Sequence, residues 1–387
     1  METYVLFIVM GCLLLVGLVT DEIGRRTRLP RVTLLMLFGL AAGPFGFDLL
    51  PRGLETWYEF LSAAALTMVA FLLGGKLSLV TLRRQGRTIF LVSLSVVLVT
   101  AVLVFVGLFL IGAPPVMALL LAGIATATAP AATQDVVHAT GARGPFADTL
   151  LGVVALDDAW GLVVFSLLLV LANALVGDAI PTALVLGLWE IFGSVIVGAV
   201  VGLPAALLTG RLKRGEPIQA EALGLVFLCA GLSLWLQVSF LLAGMVAGAI
   251  VVNLATHHTR PFHEIEHIEW PFMVFFFVLA GASLNLNSLQ TIGVIGVAYI
   301  LLRTLSRVLG GWIGCTLAGA PETHRQWMGV ALIPQAGVAL GMALVAGNHF
   351  PSLAEQLLAL AIGTSIVFEV FGPVLTQVAL TRVGAIK

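Results

Sequence analysis

The chain has 387 residues, of which 60% are hydrophobic and only 10% charged, and its net charge is −1. Its mean hydropathy of +1.10 is typical of a polytopic membrane protein and excludes a soluble globular domain. The sequence contains no phosphate-binding loop and no nucleotide-binding fingerprint. We therefore expect no cofactor, no enzymatic activity and no nucleic-acid partner.

Thirteen apolar segments follow one another along the chain. Each is long enough to be a transmembrane helix, which predicts an all-α polytopic membrane protein with 13 transmembrane helices. The segments cover about residues 3–20, 31–48, 57–79, 88–111, 115–137, 147–175, 182–209, 218–236, 238–254, 268–287, 291–318, 324–346 and 353–380.

The basic residues of the linkers lie almost entirely on one side of the predicted membrane. Sixteen of the nineteen Lys and Arg residues fall on that side, Arg52 alone falls on the other, and Arg303 and Arg307 lie within a segment. The positive-inside rule then places the N-terminus outside and the C-terminus in the cytoplasm. The predicted location is the inner cell membrane, with lipid as the surrounding partner.

Two segments carry a proline in the middle, namely Pro130 in the fifth and Pro334 in the twelfth. Because these positions match, segments one to six and eight to thirteen are interpreted as two inverted six-helix repeats with crossed broken helices. The segment at 182–209 would be the linker helix between them. Proline-interrupted segments at matching places mark the substrate site of many transporters, and the alternative is a pair of ordinary proline kinks.

Two adjacent acids, Asp157 and Asp158, lie well inside the apolar run at 150–173. An ionisable residue at this depth costs at least about 2.5–3.5 kcal/mol, so the pair indicates a function. Neighbouring residues of a helix point roughly 100° apart. One carboxylate can therefore meet a fixed cation while the other faces a water-filled cavity.

Further polar residues lie in the apolar segments that surround this pair. Hydroxyl, carboxylate and carbonyl oxygens together suit a hard monovalent cation such as Na⁺. We expect the site to consist of Asp157, Asp158, Thr126, Thr128, Arg303, Arg307, Gln335 and Glu369, with Pro130 and Pro334 at the helix breaks.

The charges within these segments predict competition between a cation and a proton. Two arginines face three acids, so two acids can pair with them and one acid needs a proton or a metal cation. Burial raises the pKa of a carboxyl group, which makes the two ligands mutually exclusive. This is the behaviour of an antiporter. The alternatives are a cation channel and a structural membrane protein with buried ion pairs. An intramembrane aspartyl protease does not fit, because adjacent residues on one helix cannot share a proton across facing segments.

Four histidines, at 257, 258, 263 and 267, cluster between the ninth and tenth segments. We interpret this stretch as a solvated cytoplasmic loop, with a pH sensor or an adventitious metal site as alternatives.

The chain resembles the cation–proton antiporter superfamily over essentially its whole length. The sequence ALDDAWG at 155–161 is similar to the paired-aspartate motif of the sodium or potassium/proton branch. The segment LRTLSRVLGGWIG at 302–314 resembles the family segment whose basic residue pairs with the first aspartate. TAP at 128–130 occupies the crossover position, and FFFVLAGASLNL at 275–286 is similar to another recurring stretch.

The resemblance implies a role for each charged residue. Asp158 would be the carboxylate that binds the cation (Na⁺, K⁺ or Li⁺) and the proton, Asp157 its salt-bridged neighbour, and Arg307 the partner. Two positions differ from the family pattern. Ala129 stands where many relatives have aspartate, and Arg307 where paired-aspartate members usually have lysine.

The resemblance also implies an architecture for the single membrane domain 1–387. Residues 88–175 and 291–380 would form the moving ion-transport core. Residues 1–79 and 218–287 would form a dimerisation scaffold, giving a homodimer with elevator-type alternating access.

Overall fold

In the residues that the computed structural model describes, all regular secondary structure is helical. These residues are 3–27, 31–44, 46–51, 55–75, 77–176, 180–208, 218–255, 259–282, 286–335 and 337–386. Within them the α-helices are α1 (Thr3–Thr27), α2 (Arg31–Ala42), α3 (Glu55–Gly75), α4 (Leu79–Leu110), α5 (Pro115–Ala125), α6 (Pro130–Thr140), α7 (Pro145–Val176), α8 (Ile180–Leu208), α9 (Ile218–Trp235), α10 (Phe240–Leu254), α11 (Thr259–Ala282), α12 (Leu286–Leu317), α13 (Glu322–Ala331), α14 (Gly337–His349) and α15 (Ala354–Arg382). A 3-10 helix at Pro351–Leu353 precedes α15.

The helices have the length and composition of membrane spans. Among the described residues, seven are long and apolar enough to cross a bilayer, and these lie in α1, α4, α7, α8, α11, α12 and α15. Five shorter apolar helices lie in α3, α5, α9, α10 and α14. Each predicted segment coincides with one helix or with a pair of helices, so the prediction of an all-α polytopic membrane protein is confirmed. The number of thirteen spans stays a prediction.

The two segments with a proline in the middle, the fifth and the twelfth, are each divided into two helices. α5 ends at Ala125 and α6 begins at Pro130. Proline fits this first position because the first N–H groups of a helix have no acceptor within the helix, so the N–H that proline lacks is not needed. α13 ends at Ala331 and α14 begins at Gly337, and Pro334 lies between them. The last carbonyl groups of α5 and α13 consequently need donors from elsewhere.

The histidine stretch differs from its prediction. α11 begins at Thr259, ahead of the expected start at about residue 268, so His263 and His267 lie in a helix and the loop interpretation is wrong there. The first turns of α11 are rich in His and Glu. A search for apolar segments does not detect such polar turns, although both residue types are compatible with a helix. His257 and His258 lie outside the described residues.

The chain divides into two compact units. The first comprises Met1–Gly75 and Gly193–Asn287, and the second comprises Lys76–Phe192 and Ser288–Lys387. In the first unit α3 packs on α10 and α11, and α11 also packs on α2. In the second unit α4 and α5 pack on α7, while α13 and α14 pack on α15. All the residues that we expect at the ion site belong to the second unit.

Within the second unit, α12 approaches the backbone of α4 through two glycines four residues apart. A Cβ added at Gly310 would lie 2.7 Å from Cα of Val96, and one added at Gly314 would lie 2.6 Å from Cα of Val92. Small residues at this spacing let membrane helices pack at close range. This contact fixes the helix that carries both buried arginines.

We expect Gly310→Ala to lower the melting temperature in detergent, because overpacking of a tight contact costs about 1–3 kcal/mol. Gly293→Ala is the matched control on the same helix, since nothing lies within 4 Å of a Cβ added there. That control should melt at or above the temperature of the wild type, because alanine favours a helix over glycine by about 1 kcal/mol. Identical melting of both variants would contradict the close packing of α12 on α4.

Candidate ion-binding site

The paired aspartates lie in the middle of α7, and neither has any solvent exposure. The residues that flank the pair, Leu156 and Ala159, are also buried. A carboxylate in such surroundings needs hydrogen-bond donors or a counter-charge. The two side chains obtain them from different parts of the second unit.

Asp158 lies at the break between α5 and α6. Its Oδ1 accepts hydrogen bonds from the backbone N–H of Thr128, at 3.0 Å, and from the Thr128 hydroxyl, at 2.8 Å. The break makes both donors available, because the N–H of Thr128 is not used within a helix. Both donors are neutral, and Thr128 itself is buried.

Asp157 is held by a buried arginine. Nη1 of Arg307 donates to its Oδ2 at 2.5 Å, and both side chains are fully buried. Nη2 of Arg307 donates to the carbonyl groups of Ala125, Thr126 and Ala127, at 3.2 Å for Ala125 and 3.1 Å for Ala127. The positive charge is thus balanced by one carboxylate and by the negative end of the α5 dipole.

Arg303 connects the two helix breaks. Its Nε and Nη2 donate to the carbonyl groups of Ala125 and Ala127, at 3.1 and 2.8 Å, and its Nη1 donates to that of Ile333 at 2.7 Å. Its guanidinium carbon lies 4.3 Å from the centre of the Phe368 ring, a cation–π distance. We expected this side chain to pair with an acid, whereas it donates to backbone carbonyls instead.

Gln335 provides a second connection between the breaks. Its Nε2 donates to the carbonyl of Ile124 at 3.0 Å and to the hydroxyl of Tyr299 at 3.2 Å. The sequence reasoning did not include Tyr299. Tyr299 lies four residues before Arg303 and eight before Arg307, so all three residues lie on one face of α12. This spacing could have identified Tyr299 as a site residue.

The remaining predicted residues lie around this centre. The hydroxyl of Thr126 donates to the carbonyl of Gly123 at 2.6 Å, so it caps its own helix while its carbonyl accepts from Arg307. Glu369 is buried in α15, directly after Phe368. Phe368 was also missed, because an aromatic residue in an apolar helix gives no signal of contact with a cation.

A buried carboxylate at the break of an apolar helix, beside a fixed arginine charge, is the arrangement of a secondary transporter for cations. A family profile described as "Sodium/hydrogen exchanger, transmembrane" matches residues 10–381. The chain therefore belongs to the sodium/hydrogen exchanger family of cation/proton antiporters.

Characterised relatives are distant but extend over most of the chain. The K⁺/H⁺ antiporter subunit KhtU of Bacillus subtilis is 21% identical over 383 residues, covering 95% of this chain and 92% of its own. The ammonium/H⁺ antiporter subunit AmhT of Alkalihalophilus pseudofirmus is 21% identical and covers 79% of each chain. The solved structure of the sodium proton antiporter MjNhaP1 from Methanocaldococcus jannaschii at pH 8 superimposes with a TM-score of 0.78 at 20% identity. It covers 99% of this chain and 100% of its own, so the two proteins share a fold.

We expect Asp157→Asn to lower the melting temperature markedly, because removing one partner of a buried ion pair costs about 3–5 kcal/mol. Asp158→Asn is the matched comparison, since the amide oxygen still accepts both hydrogen bonds from Thr128. It should melt closer to the wild type. Thermal unfolding of both purified variants in detergent checks this ordering. An Asp157→Asn variant as stable as the wild type would mean that the pair with Arg307 does not stabilise the protein.

Proposed function

We propose that the protein exchanges a monovalent cation, Na⁺ or K⁺, for H⁺ at Asp158. This proposal rests on the different environments of the two aspartates. Asp157 is ion-paired with Arg307, while Asp158 accepts from the two neutral donors of Thr128 at a helix break. The neutral donors of Thr128 orient the Asp158 carboxylate. We therefore expect this carboxylate to bind either a cation or a proton.

The ligands around Asp158 suit a hard monovalent cation. The Asp158 carboxylate and the hydroxyl of Thr128 both supply oxygen atoms. These donors accept Na⁺, K⁺ and Li⁺ alike. The named functions of the relatives, which include K⁺/H⁺, Na⁺/H⁺ and ammonium/H⁺ antiport, support the proposal at the level of monovalent cations.

The proposed architecture has thirteen spans, an outside N-terminus and a homodimer in the inner membrane. The second unit, which contains the paired aspartates and both arginines, would be the ion-transport core, and the first unit would be the dimerisation scaffold. The division of the chain near Gly75, Phe192 and Asn287 supports this assignment. Alternating access would be of the elevator type, with the site carried inside the core.

Replacement of the proposed ion-binding carboxylate should abolish exchange. We expect Asp158→Asn to lose cation-driven proton flux in proteoliposomes, because an amide cannot exchange a proton for a cation at the working pH. Asp148→Asn is the matched control, since Asp148 is exposed in the first turn of the same helix. It should transport like the wild type.

Proton flux in folded Asp158→Asn protein at the wild-type rate would remove Asp158 from its proposed role. For the wild type, a proton flux that dissipates the gradient and whose rate does not saturate as the cation concentration rises would instead indicate a channel.

The residue type at position 307 suggests a stoichiometry. A buried lysine can lose its proton and release the aspartate beside it for a second protonation step. An arginine keeps its charge in proteins, because its guanidinium group is a far weaker acid than the ammonium group of lysine. In this proposal Asp157 remains the ion-pair partner of Arg307, and Asp158 alone exchanges its proton. One proton per monovalent cation makes the transport electroneutral despite the two aspartates.

We expect the transport rate in proteoliposomes to be independent of membrane potential when the potential is clamped at several values. Arg307→Lys is the informative variant, because it restores a side chain that can deprotonate, and it should gain voltage dependence. A wild-type current on solid-supported membranes that scales with turnover would contradict the one-for-one exchange. Protonation of Glu369 would be the first explanation to test in that case, with Glu369→Gln.

A further inference from the structure

The first turns of α11 carry two histidines that the transport site does not use. His263 and His267 are four residues apart on one face of the helix, and their ring centres lie 4.3 Å apart with a 53° angle between the ring planes. Both side chains are exposed. The pair therefore presents two neighbouring imidazoles on the surface of α11, near the N-terminal end of its candidate membrane span.

A carboxylate lies next to this pair. Oε2 of Glu266 is 4.0 Å from Nδ1 of His263, and the two side chains are 68% and 66% exposed. The sequence from 263 to 267 reads His-Glu-Ile-Glu-His. Two histidines at this spacing on a helix are a known arrangement of zinc ligands, because both ring nitrogens can reach one ion.

The helix beneath the two histidines is held in place by packing within the first unit. Ile265, between them in sequence, is 2% exposed and belongs to the core formed with Met68 and Phe71. The Phe262 ring packs against that of Phe71, with ring centres 4.9 Å apart. The backbone of the turn is thus fixed, and only the imidazole torsions need to adjust for both rings to face one ion.

We propose that His263 and His267 form a binding site for a divalent transition-metal ion such as Zn²⁺. Imidazole nitrogens suit Zn²⁺, Ni²⁺ and Cu²⁺, whereas Mg²⁺ and Ca²⁺ prefer oxygen ligands. Glu266 adds a negative charge beside the bound ion. Among the described residues no group of three or more His, Cys, Asp and Glu side chains is placed to hold a metal, so the site is a chelate of two histidines.

A bound ion would link two consecutive turns of α11. The link opposes fraying of the helix at its N-terminal end, where the first N–H groups lack helical acceptors. The expected effect of the metal is therefore local stabilisation of the first turns of α11, independent of transport at Asp158.

Binding is measured directly with ZnCl₂ on the full-length chain in detergent, after removal of any histidine tag and in a buffer that does not chelate zinc. We expect saturable binding of one ion per chain in the micromolar range. His263→Asn and His267→Asn should each weaken it by about tenfold or more, because loss of a ligand removes the chelate. His349→Asn, which changes an exposed histidine of α14, is the matched control and should bind like the wild type.

A second measurement separates a built site from nonspecific binding. Zn²⁺ should slow hydrogen–deuterium exchange in the first turns of α11 in the wild type but not in the double variant His263→Asn/His267→Asn, and the same concentration of Mg²⁺ should have no effect. Without metal the double variant should melt like the wild type, since both side chains are exposed. Undiminished zinc affinity in the double variant, or binding only in the millimolar range, would overturn the proposal.

Discussion

The backbone carbonyls released at the break between α5 and α6 determine the rest of the ion site. Inside a bilayer such groups find no water, and each needs a donor from the protein. Arg303 and Arg307 supply these donors to Ala125, Thr126 and Ala127, and Arg303 also reaches Ile333 at the second break. Two buried positive charges are the consequence. Asp157 compensates one of them, so the helix break, the arginines and this aspartate depend on one another.

This dependence separates the roles of two chemically identical neighbours. Asp157 supports the helix break indirectly. It neutralises Arg307, which donates to the carbonyls of the break, and its removal would leave Arg307 without a counter-charge. Asp158 points in a different direction from α7 and accepts from the neutral donors of Thr128. In our proposal only Asp158 changes its ligand during transport. A fixed pair beside an exchanging carboxylate also explains why an arginine is compatible with antiport here.

The sequence was sufficient to predict the helices, because apolar length is a direct consequence of the bilayer thickness. The two helix breaks were predicted from the matching positions of Pro130 and Pro334 in the middle of their segments. Proline alone was not sufficient, because Pro204, Pro271 and Pro373 lie inside continuous helices. The carbonyl partners of Arg303 were not predictable, since every residue has a backbone carbonyl and sequence does not distinguish the ones that accept. The start of α11 was missed for a different reason. Its first turns are polar, and its histidines and glutamates resemble a solvated loop by composition alone.

In the proposed mechanism one carboxylate, that of Asp158, binds either the cation or the proton. The most direct measurement is the number of protons released when cation is added to the purified protein in weakly buffered detergent solution, across a series of pH values. We expect the release to approach one proton per chain where Asp158 is protonated, to fall to zero at high pH, and to be absent from Asp158→Asn. Cation binding without proton release at every pH, or equal release from Asp158→Asn, would contradict it.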